Sequence, residues 1–376
     1  MIDKKYFLEF LHGIGLDSGS GFRWKAFLLT FGIFQTLTIY HCSSVSRETM
    51  PPHHTESGFQ NSDLTKKPGS VGAFISWQVS RLFDRDRPSL DPGDYHFEIQ
   101  PNDGLVVQNN KKDFSVTWIG HATTLVQIEG VNILTDPIWS ERCSPVSFAG
   151  PKRYTAPGIE FDSLPEIHIV LISHNHYDHM DLPTLIKLEE KFHPRFYAGL
   201  KNRDFLLREG LKDVVEMDWW EENESHGLKI HFTPTQHFSA RGVFDRDKTL
   251  WGSYLVEGKE RKVYFAGDTG YFDGFKSIGE RFQGIDLAIL PIGAYEPIDF
   301  MSPIHMAPNE SVRAFQDLQA KFMVPMHYET FVLTDEALDE PLRLTKELFQ
   351  SESIERSKLL DLKIGQTHFL YARTKE

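Results

Sequence analysis

From about residue 114 onward, short apolar runs separated by turns follow one another along the chain. In TTLVQIEG, residues 123–130, apolar and polar positions alternate with the period of two that is typical of a half-buried strand. IHIVLISH, residues 167–174, is a continuous apolar run, as expected for a strand buried on both faces. Residues 181–192 and 307–320 are expected to be helices, the second capped by Asn309. The pattern predicts an α/β fold in which strands outnumber helices.

The first 45 residues contain one long apolar run. Residues 26–41, AFLLTFGIFQTLTIYH, follow Arg23 and Lys25 and carry no Asp, Glu, Lys or Arg. The run is shorter than the roughly 20 residues that span a bilayer, and its basic flank and length are those of a signal-peptide core. A buried or amphipathic helix explains it equally well. We therefore expect residues 1–45 to be a hydrophobic segment, either a signal or membrane anchor or a packed helix, and they leave the compartment open.

Residues 46–113 are expected to form an N-terminal arm. Residues 43–70 are rich in Ser, Pro, His, Asn and Gly, as in a linker. Residues 71–86, VGAFISWQVSRLFDRD, place apolar side chains near helical spacing and predict an amphipathic helix. That helix either docks on the main domain, which is the first expectation, or contacts lipid or a partner. The candidates for lipid contact are Phe74, Ile75, Trp77, Leu82 and Phe83.

Charge and cysteine content narrow the possible chemistry. The formal net charge is −13, and no run of Lys or Arg stands out, which argues against nucleic acid as a partner. Only two cysteines, Cys42 and Cys143, are present, so neither a disulfide framework nor a Cys-rich zinc site is expected. A metal ion would have to be held by imidazole and carboxylate groups.

The six residues HNHYDH, 174–179, come directly after the buried run IHIVLIS. His174 and His176 are two positions apart on an extended stretch, so they point to the same side. Asp178 and His179 follow in the turn and can approach from another direction. Imidazole and carboxylate are the ligands of hydrolytic zinc or iron. A single histidine would mean little, but this spacing behind a buried strand predicts a metal site.

Three further candidates stand where later apolar runs end, at His237, Asp268 and His327. Each would emerge at one edge of a sheet, beside the loop at 174–179. Together with that loop they make seven donors, which is too many for one tetrahedral ion. The set suits two ions that lie close together and share a bridging carboxylate.

The same residues resemble the ligand pattern of the metallo-β-lactamase superfamily from about residue 114 to about residue 370. That pattern has an aspartate after an early strand, here Asp136 in LTDP, then H-x-H-x-D-H, then His, Asp and His at later strand ends. The resemblance implies a four-layer αβ/βα sandwich over residues 114–376, preceded by the arm, with the site at one edge between two sheets. Asp136 would order the ligand loop from behind.

The resemblance also implies how two divalent metal ions would be held, with zinc expected and iron or manganese open. His174, His176 and His237 would hold one ion, Asp178, His179 and His327 would hold the other, and Asp268 would bridge them. The family suggests a homodimer as well.

Finer stretches are similar to one branch of the superfamily. They include IGHATTLVQIEG, LTDPIWSERCSPVSFAGPKRY, FTPTQHFSAR, FAGDTGYFDGF and, in the arm, PPHHTESGFQN. That branch is the N-acyl-phosphatidylethanolamine-hydrolysing phospholipase D family. It implies hydrolysis of a membrane phospholipid to phosphatidic acid and an N-acylethanolamine by a hydroxide formed between two metal ions. Asp178 or Asp268 would take the proton of the attacking water, and His305 would contact the phosphate or protonate the leaving group. Residues 1–45 have no clear counterpart in the family.

Other functions remain compatible with the ligand pattern alone. A lactonase or a different phosphodiesterase of the same fold would use the same ligands, although the family stretches argue against it. A nuclease is disfavoured by the net charge. A binding module without activity is disfavoured by the complete ligand set.

Overall fold

A computed structural model describes residues 50–371, except residues 68, 70, 82, 84–86 and 243 and the side chains of Val71 and Phe74. These residues belong to one compact unit, in which the arm from residue 50 packs with the domain that follows. The hydrophobic segment at 26–41 lies outside the described residues, as do Leu82 and the side chain of Phe74. Within the described ranges, no helix has the length and apolar character needed to cross a bilayer.

The strands build two mixed sheets. In chain order they are β1 (Ser115–Gly120), β2 (Thr123–Ile128), β3 (Val131–Thr135), β4 (Ile169–Leu171), β5 (Arg195–Gly199), β6 (Val214–Met217), β7 (Glu222–Ser225), β8 (Leu228–Thr233), β9 (Ser253–Glu257), β10 (Lys262–Phe265), β11 (Leu287–Pro291), β12 (Phe322–Met326) and β13 (Thr367–Phe369). The first sheet has the order β13-β1-β2-β3-β4-β5-β6, and the second has the order β12-β11-β10-β9-β8-β7. Strands β3 to β6 are parallel, and so are β10 to β12.

The helices connect and cover these strands. They are α1 (Val71–Ser80), α2 (Leu105–Asn109), α3 (Leu182–Phe192), α4 (Arg203–Arg208), α5 (Gly274–Phe282), α6 (Ile298–Met301), α7 (Pro308–Asp317) and α8 (Glu340–Ser351), with single 3-10 turns at Pro92–Asp94, Phe161–Ser163 and Arg356–Lys358. The arm helix α1 is shorter than the predicted range 71–86. The predicted cap at Asn309 is wrong, because Ala307 precedes the helix and Pro308 is its first residue. Proline suits that position, since its missing N–H has no partner there in any helix.

Alternating side chains divide the core into layers. Along β5, Tyr197 faces the second sheet, whereas Phe196 and Ala198 pack under α3 and α4. The opposite sheet is covered by α5, α7 and α8, which contribute Phe275, Phe315 and other apolar side chains. Helices therefore cover both outer faces of two stacked sheets. The αβ/βα sandwich expected from the sequence is confirmed.

The sandwich brings several strand ends to one edge, and there the backbone turns sharply. His121 follows β1, Asp136 follows β3 and His327 follows β12, and all three adopt positive φ angles of 54°, 31° and 66°. Residues other than glycine rarely adopt this backbone conformation. Where they do, they are found preferentially at functional sites. Other non-glycine residues of the fold also have positive φ, but these three lie at the edge at which the polar side chains gather.

Candidate metal centre

Three imidazoles from two loops converge on one point of the edge. His174 and His176 come from the loop after β4, and His237 comes from the segment after β8. Nδ1 of His176 lies 2.8 Å from Nε2 of His174 and 3.3 Å from Nε2 of His237. Two bonds of about 2.0–2.1 Å from a tetrahedral zinc ion place nitrogen ligands about 3.3 Å apart. The spacing of these three nitrogens is therefore close to that of one ligand set.

A second group lies beside the first. Nε2 of His179 and Nε2 of His327 are 3.3 Å apart, and they lie 3.3 and 3.5 Å from Oδ2 of Asp178. The two groups are the ones expected from the sequence, and the fold brings all seven predicted ligand residues together.

Asp268 stands between the two groups. Its Oδ2 atom lies 3.0 Å from Nε2 of His179 and 3.2 Å from Nε2 of His327. The same atom lies 3.8 Å from Nε2 of His174 and 3.9 Å from Nε2 of His237. One carboxylate oxygen thus faces both sets of imidazoles, as a bridging ligand must. The Oδ1 atom of Asp268 is buried and has no hydrogen-bond partner among the described residues.

Asp136 orders the ligand loop from behind, as the resemblance implied. Its side chain is fully buried and accepts hydrogen bonds from the Ser173 N–H at 2.7 Å and the Ser173 hydroxyl at 2.5 Å. It also lies 2.6 Å from Nδ1 of His179. Because Nδ1 of His179 donates to this carboxylate, Nε2 is the ring nitrogen that faces the centre. His237 is oriented in the same manner, since its Nδ1 donates to the Ile304 carbonyl at 2.8 Å.

The electrostatics of the two groups differ. Burial lowers the pKa of His174 and His237 well below the ordinary value and lowers the pKa of His176 to about 4. These three imidazoles are therefore neutral at pH 7, with lone pairs free to bind a cation. Burial acts in the same direction on His327, but the charges of Asp268 and Asp178 outweigh it and raise its pKa to about 9.

The carboxylates are held ionised in turn. Burial opposes the charged form of Asp268, but the neighbouring His179 and His327 outweigh it and keep its pKa well below the usual range. Asp178 is held low by His179 and His121 against the same burial effect. A buried carboxylate and a partly buried one among imidazoles require positive charge between them. Divalent cations would supply that charge, and Asp268 Oδ1 has no other partner among the described residues, so these residues fit a metal centre.

His121 is a residue that the sequence interpretation missed. Its fully buried ring places Nε2 3.0 Å from Oδ2 of Asp178, opposite His179 and His327. Its carbonyl accepts a hydrogen bond from the His327 N–H at 3.1 Å, and its own N–H donates to Thr330 Oγ1 at 2.8 Å. The rule that found the other residues applies here too, because His121 directly follows the apolar run FSVTWIG.

His305 lies at the edge of the centre, near the position expected for a catalytic residue. Its Nδ1 atom is 4.0 Å from Oδ2 of Asp268 and has no hydrogen-bond partner among the described residues. Burial lowers its pKa to about 4, so the ring is neutral at pH 7. His305 also lines a cavity that opens onto His176, Asp178 and Asp268. The structure brings His305 beside the candidate ligands, and its catalytic role stays a prediction.

Comparisons with known proteins agree with this geometry. A family model described as a β-lactamase superfamily domain matches residues 131–328, just over half of the chain. An N-acyl-phosphatidylethanolamine-hydrolysing phospholipase D of Caenorhabditis elegans is 36% identical over 264 residues, which cover 66% of this chain and 74% of the relative. The chain belongs to the metallo-β-lactamase superfamily, in the N-acyl-phosphatidylethanolamine-hydrolysing phospholipase D family. The family expected from the sequence is thereby confirmed.

Two further relatives add to the assignment. The mitochondrial phospholipase D of the same description from Saccharomyces cerevisiae is 36% identical over 232 residues, covering 60% of this chain and 49% of that protein. The crystal structure of an isothiocyanate hydrolase from Delia radicum gut bacteria superposes with a TM-score of 0.55, at 22% identity, over 68% of this chain and 99% of that one. The latter supports the fold alone. Family membership and the clustered His and Asp ligands make the protein a metal-dependent hydrolase of the superfamily.

Removal of metal, or of the shared carboxylate, is predicted to abolish hydrolysis by this family member. Chelation should remove the activity and added divalent cations should restore it.

Asp268→Asn should lower kcat/KM at least about 100-fold, because bound cations supply several kcal/mol of charge stabilisation and each 1.4 kcal/mol is tenfold in rate. Metal content per chain, measured by mass spectrometry, should fall in the same variant. Asp162→Asn, at a side chain that is 98% exposed, is the matched control. Full metal content and activity in Asp268→Asn would contradict the assignment.

Proposed function

We propose that the protein is a phosphodiesterase of phospholipase D type that hydrolyses N-acyl-phosphatidylethanolamine to phosphatidic acid and an N-acylethanolamine. The two ligand groups would each hold a divalent cation, with zinc the expected metal. The relative from Caenorhabditis elegans supports the substrate class, because it is named for hydrolysis of N-acyl-phosphatidylethanolamine. The observation that carries the proposal is the cavity next to the metal ligands.

The cavity has a volume of about 330 Å³ and combines apolar walls with a polar floor. The floor is formed by Asp178, Asp268, His176 and His305. The walls are apolar and come from both the arm and the domain: Trp77, Phe238, Phe300, Met301, Ile304 and Leu333. A lipid that carries a phosphodiester needs this combination, because its acyl chains require apolar contact while its charged phosphate must reach the metal ligands.

A cation on the cavity wall favours an anionic substrate. The guanidinium of Arg246 lies 4.1 Å from the ring centre of Phe238, and both residues line the cavity. Asp247 pairs with Arg246 at 3.6 Å, and the Arg246 side chain is 41% exposed, so its donors can turn toward a ligand. Guanidinium groups bind phosphate oxygens through two parallel hydrogen bonds. A neutral lactone offers no such partner.

The protonation states suit cleavage of the bond between phosphorus and the ethanolamine oxygen. Cations held by these ligands would lower the pKa of water and offset the charge on the phosphate oxygens. Asp178 and Asp268 are ionised, so either carboxylate can take the proton that the attacking water loses. His305 is neutral and can donate its ring N–H toward the departing oxygen. The carboxylate then passes the proton taken from water to the departing oxygen, to which His305 donates a hydrogen bond, and this leaves phosphatidic acid and a neutral alcohol.

Turnover of a defined phospholipid panel tests the substrate. We expect the purified full-length chain, on phosphatidylcholine vesicles that contain N-palmitoyl-phosphatidylethanolamine, to form phosphatidic acid and N-palmitoylethanolamine in equal amounts by mass spectrometry. Phosphatidylcholine and a panel of lactones should be turned over at least tenfold more slowly. Faster opening of a lactone than of the phospholipid would assign the site to another branch of the superfamily.

We further propose that the arm helix meets the membrane at the mouth of the cavity. Trp77 was expected to contact lipid, but its side chain is 9% exposed, packs on Phe300 with ring centres 5.5 Å apart and donates to Asp335. Arg81 and Arg87 pair with the same carboxylate at 3.0 and 3.1 Å. The helix is therefore docked by its Trp77 side.

The docking of α1 leaves other apolar side chains in contact with solvent. Ile75, Val79 and Phe83 are 56%, 49% and 77% exposed. Such a cluster costs free energy in water and gains it in the interfacial layer of a bilayer. Ile75 and Phe83 agree with the lipid-contact candidates, whereas Trp77 belongs to the cavity wall.

The double variant Ile75→Asp and Phe83→Asp is predicted to lose activity on vesicles and keep it on a soluble phosphodiester. Each apolar side chain that leaves the bilayer forfeits about 1.5–3 kcal/mol, so kcat/KM on vesicles should fall at least about tenfold. Leu105→Asp, at a residue that is 55% exposed on α2, is the matched control. An equal loss on both substrates would place these side chains in folding or catalysis and rule out the membrane role.

A further inference from the structure

The arm bonds directly to the backbone of a candidate metal ligand through Asn61. Its Nδ2 donates to the His237 carbonyl at 2.8 Å, and its Oδ1 accepts from the His237 N–H at 3.0 Å. One side-chain amide therefore bonds both backbone groups of a metal ligand that lies 176 residues away in sequence. This is the pattern that a neighbouring strand would provide, at a place where β8 has already ended at Thr233.

We propose that Asn61 is a positioning residue that holds His237 in the geometry required for metal binding. The inference rests on the proposed metal centre and adds the arm to it. Three bonds set the position of the His237 imidazole. Two come from Asn61 to its backbone, and the third runs from Nδ1 to the Ile304 carbonyl. Without the two hydrogen bonds to Asn61, the bond to the Ile304 carbonyl would be the one that remains of these three.

Asn61 is itself fixed from two directions. Its Oδ1 accepts a second hydrogen bond, from Nε1 of the buried Trp251 at 3.0 Å. This bond sets which end of the amide is the oxygen, because the indole can only donate. The nitrogen must then face the His237 carbonyl. Neither Asp nor Leu, both close in size to Asn, offers a donor and an acceptor at these two positions.

The residues before Asn61 anchor this part of the arm to the domain. Nε2 of His53 lies 2.6 Å from Oδ1 of Asp218, and Nε2 of His54 lies 2.7 Å from Oδ2 of the same carboxylate. These separations are those of hydrogen bonds to a charged carboxylate, so the two imidazoles and Asp218 form a hydrogen-bonded anchor. Phe59 is 4% exposed, and its N–H donates to the Asp247 carbonyl.

After Asn61, the arm contacts the residue next to His237. The Gln236 side chain donates to the Asp63 carbonyl at 2.7 Å, and the Gln236 carbonyl accepts from the Gly270 N–H at 2.8 Å. Gly270 lies two residues after the bridging Asp268. The arm, the His237 segment and the Asp268 loop are thus joined by consecutive hydrogen bonds.

The test replaces Asn61 by Asp, which keeps its shape and turns the donor into an acceptor facing the His237 carbonyl. Zinc binding to the full-length chain, measured by competition with a chromogenic chelator, should weaken about 10–100-fold for one of the two ions, as for other residues that orient metal ligands. Gln60→Glu is the matched control, because the Gln60 side-chain amide donates to the Pro52 carbonyl, within the arm and away from His237. Its zinc binding should stay within about twofold of the parent chain.

The zinc-binding measurement tests this inference independently of the proposed substrate, because it does not require hydrolysis. Weakened zinc binding in Asn61→Asp supports the positioning role whether or not the parent chain hydrolyses the phospholipid. Zinc binding within about twofold of the parent, or an equal loss in Gln60→Glu, overturns it.

A second measurement applies if Asn61→Asp does not fold. Amide hydrogen exchange on the metal-free parent chain should show the His237 N–H protected at least about 100-fold relative to an unstructured amide, because the bond to Asn61 must break before exchange. Exchange at the unstructured rate would overturn the inference.

Discussion

The structure depends on one buried carboxylate oxygen that faces imidazoles from two sides. Asp268 Oδ2 lies within 3.9 Å of Nε2 atoms in both ligand groups, and its side chain is almost completely buried. A charge in this position is tolerated only where cations or protonated imidazoles surround it. The raised pKa of His327 follows from that requirement, whereas burial keeps His174 and His237 neutral. The same requirement makes the edge of the sandwich a place for divalent cations.

The fold meets this requirement by bringing strand ends together across the two sheets. The loops after β1, β3 and β4 come from the first sheet, and those after β8, β10 and β12 come from the second. The sheets are tied next to the site by the hydroxyl of Tyr254, which donates to the Ile172 carbonyl at 3.0 Å. The arm then supplies what the sandwich lacks, a bond to the His237 backbone through Asn61 and an apolar cavity wall through Trp77. Chemistry and substrate access therefore come from different parts of one compact unit.

The sequence predicted the sandwich and the side chains that gather at its edge because both leave local signals. Buried strands appear as apolar runs, and a ligand must stand where such a run ends, so His237, Asp268 and His327 could be found without the structure. His121 obeys the same rule but belongs to no dense motif, and its contact with Asp178 joins residues 57 apart. Asn61 and Trp77 show the limit of sequence patterns. Periodicity indicates that a side chain is apolar or lies on one face of a helix, whereas its partner is decided by packing between distant segments. The cap of α7 was misplaced by two residues for a local reason, since Pro308 itself starts the helix.

The central claim is that this edge of the sandwich directs water to the phosphorus of a phospholipid diester. Hydrolysis of N-acyl-phosphatidylethanolamine in water enriched in oxygen-18 tests it most directly, because the label marks the atom that was attacked. The account predicts one labelled oxygen in phosphatidic acid and none in the N-acylethanolamine. Label in the N-acylethanolamine would show that a carbon–oxygen bond is broken instead, and it would contradict the account.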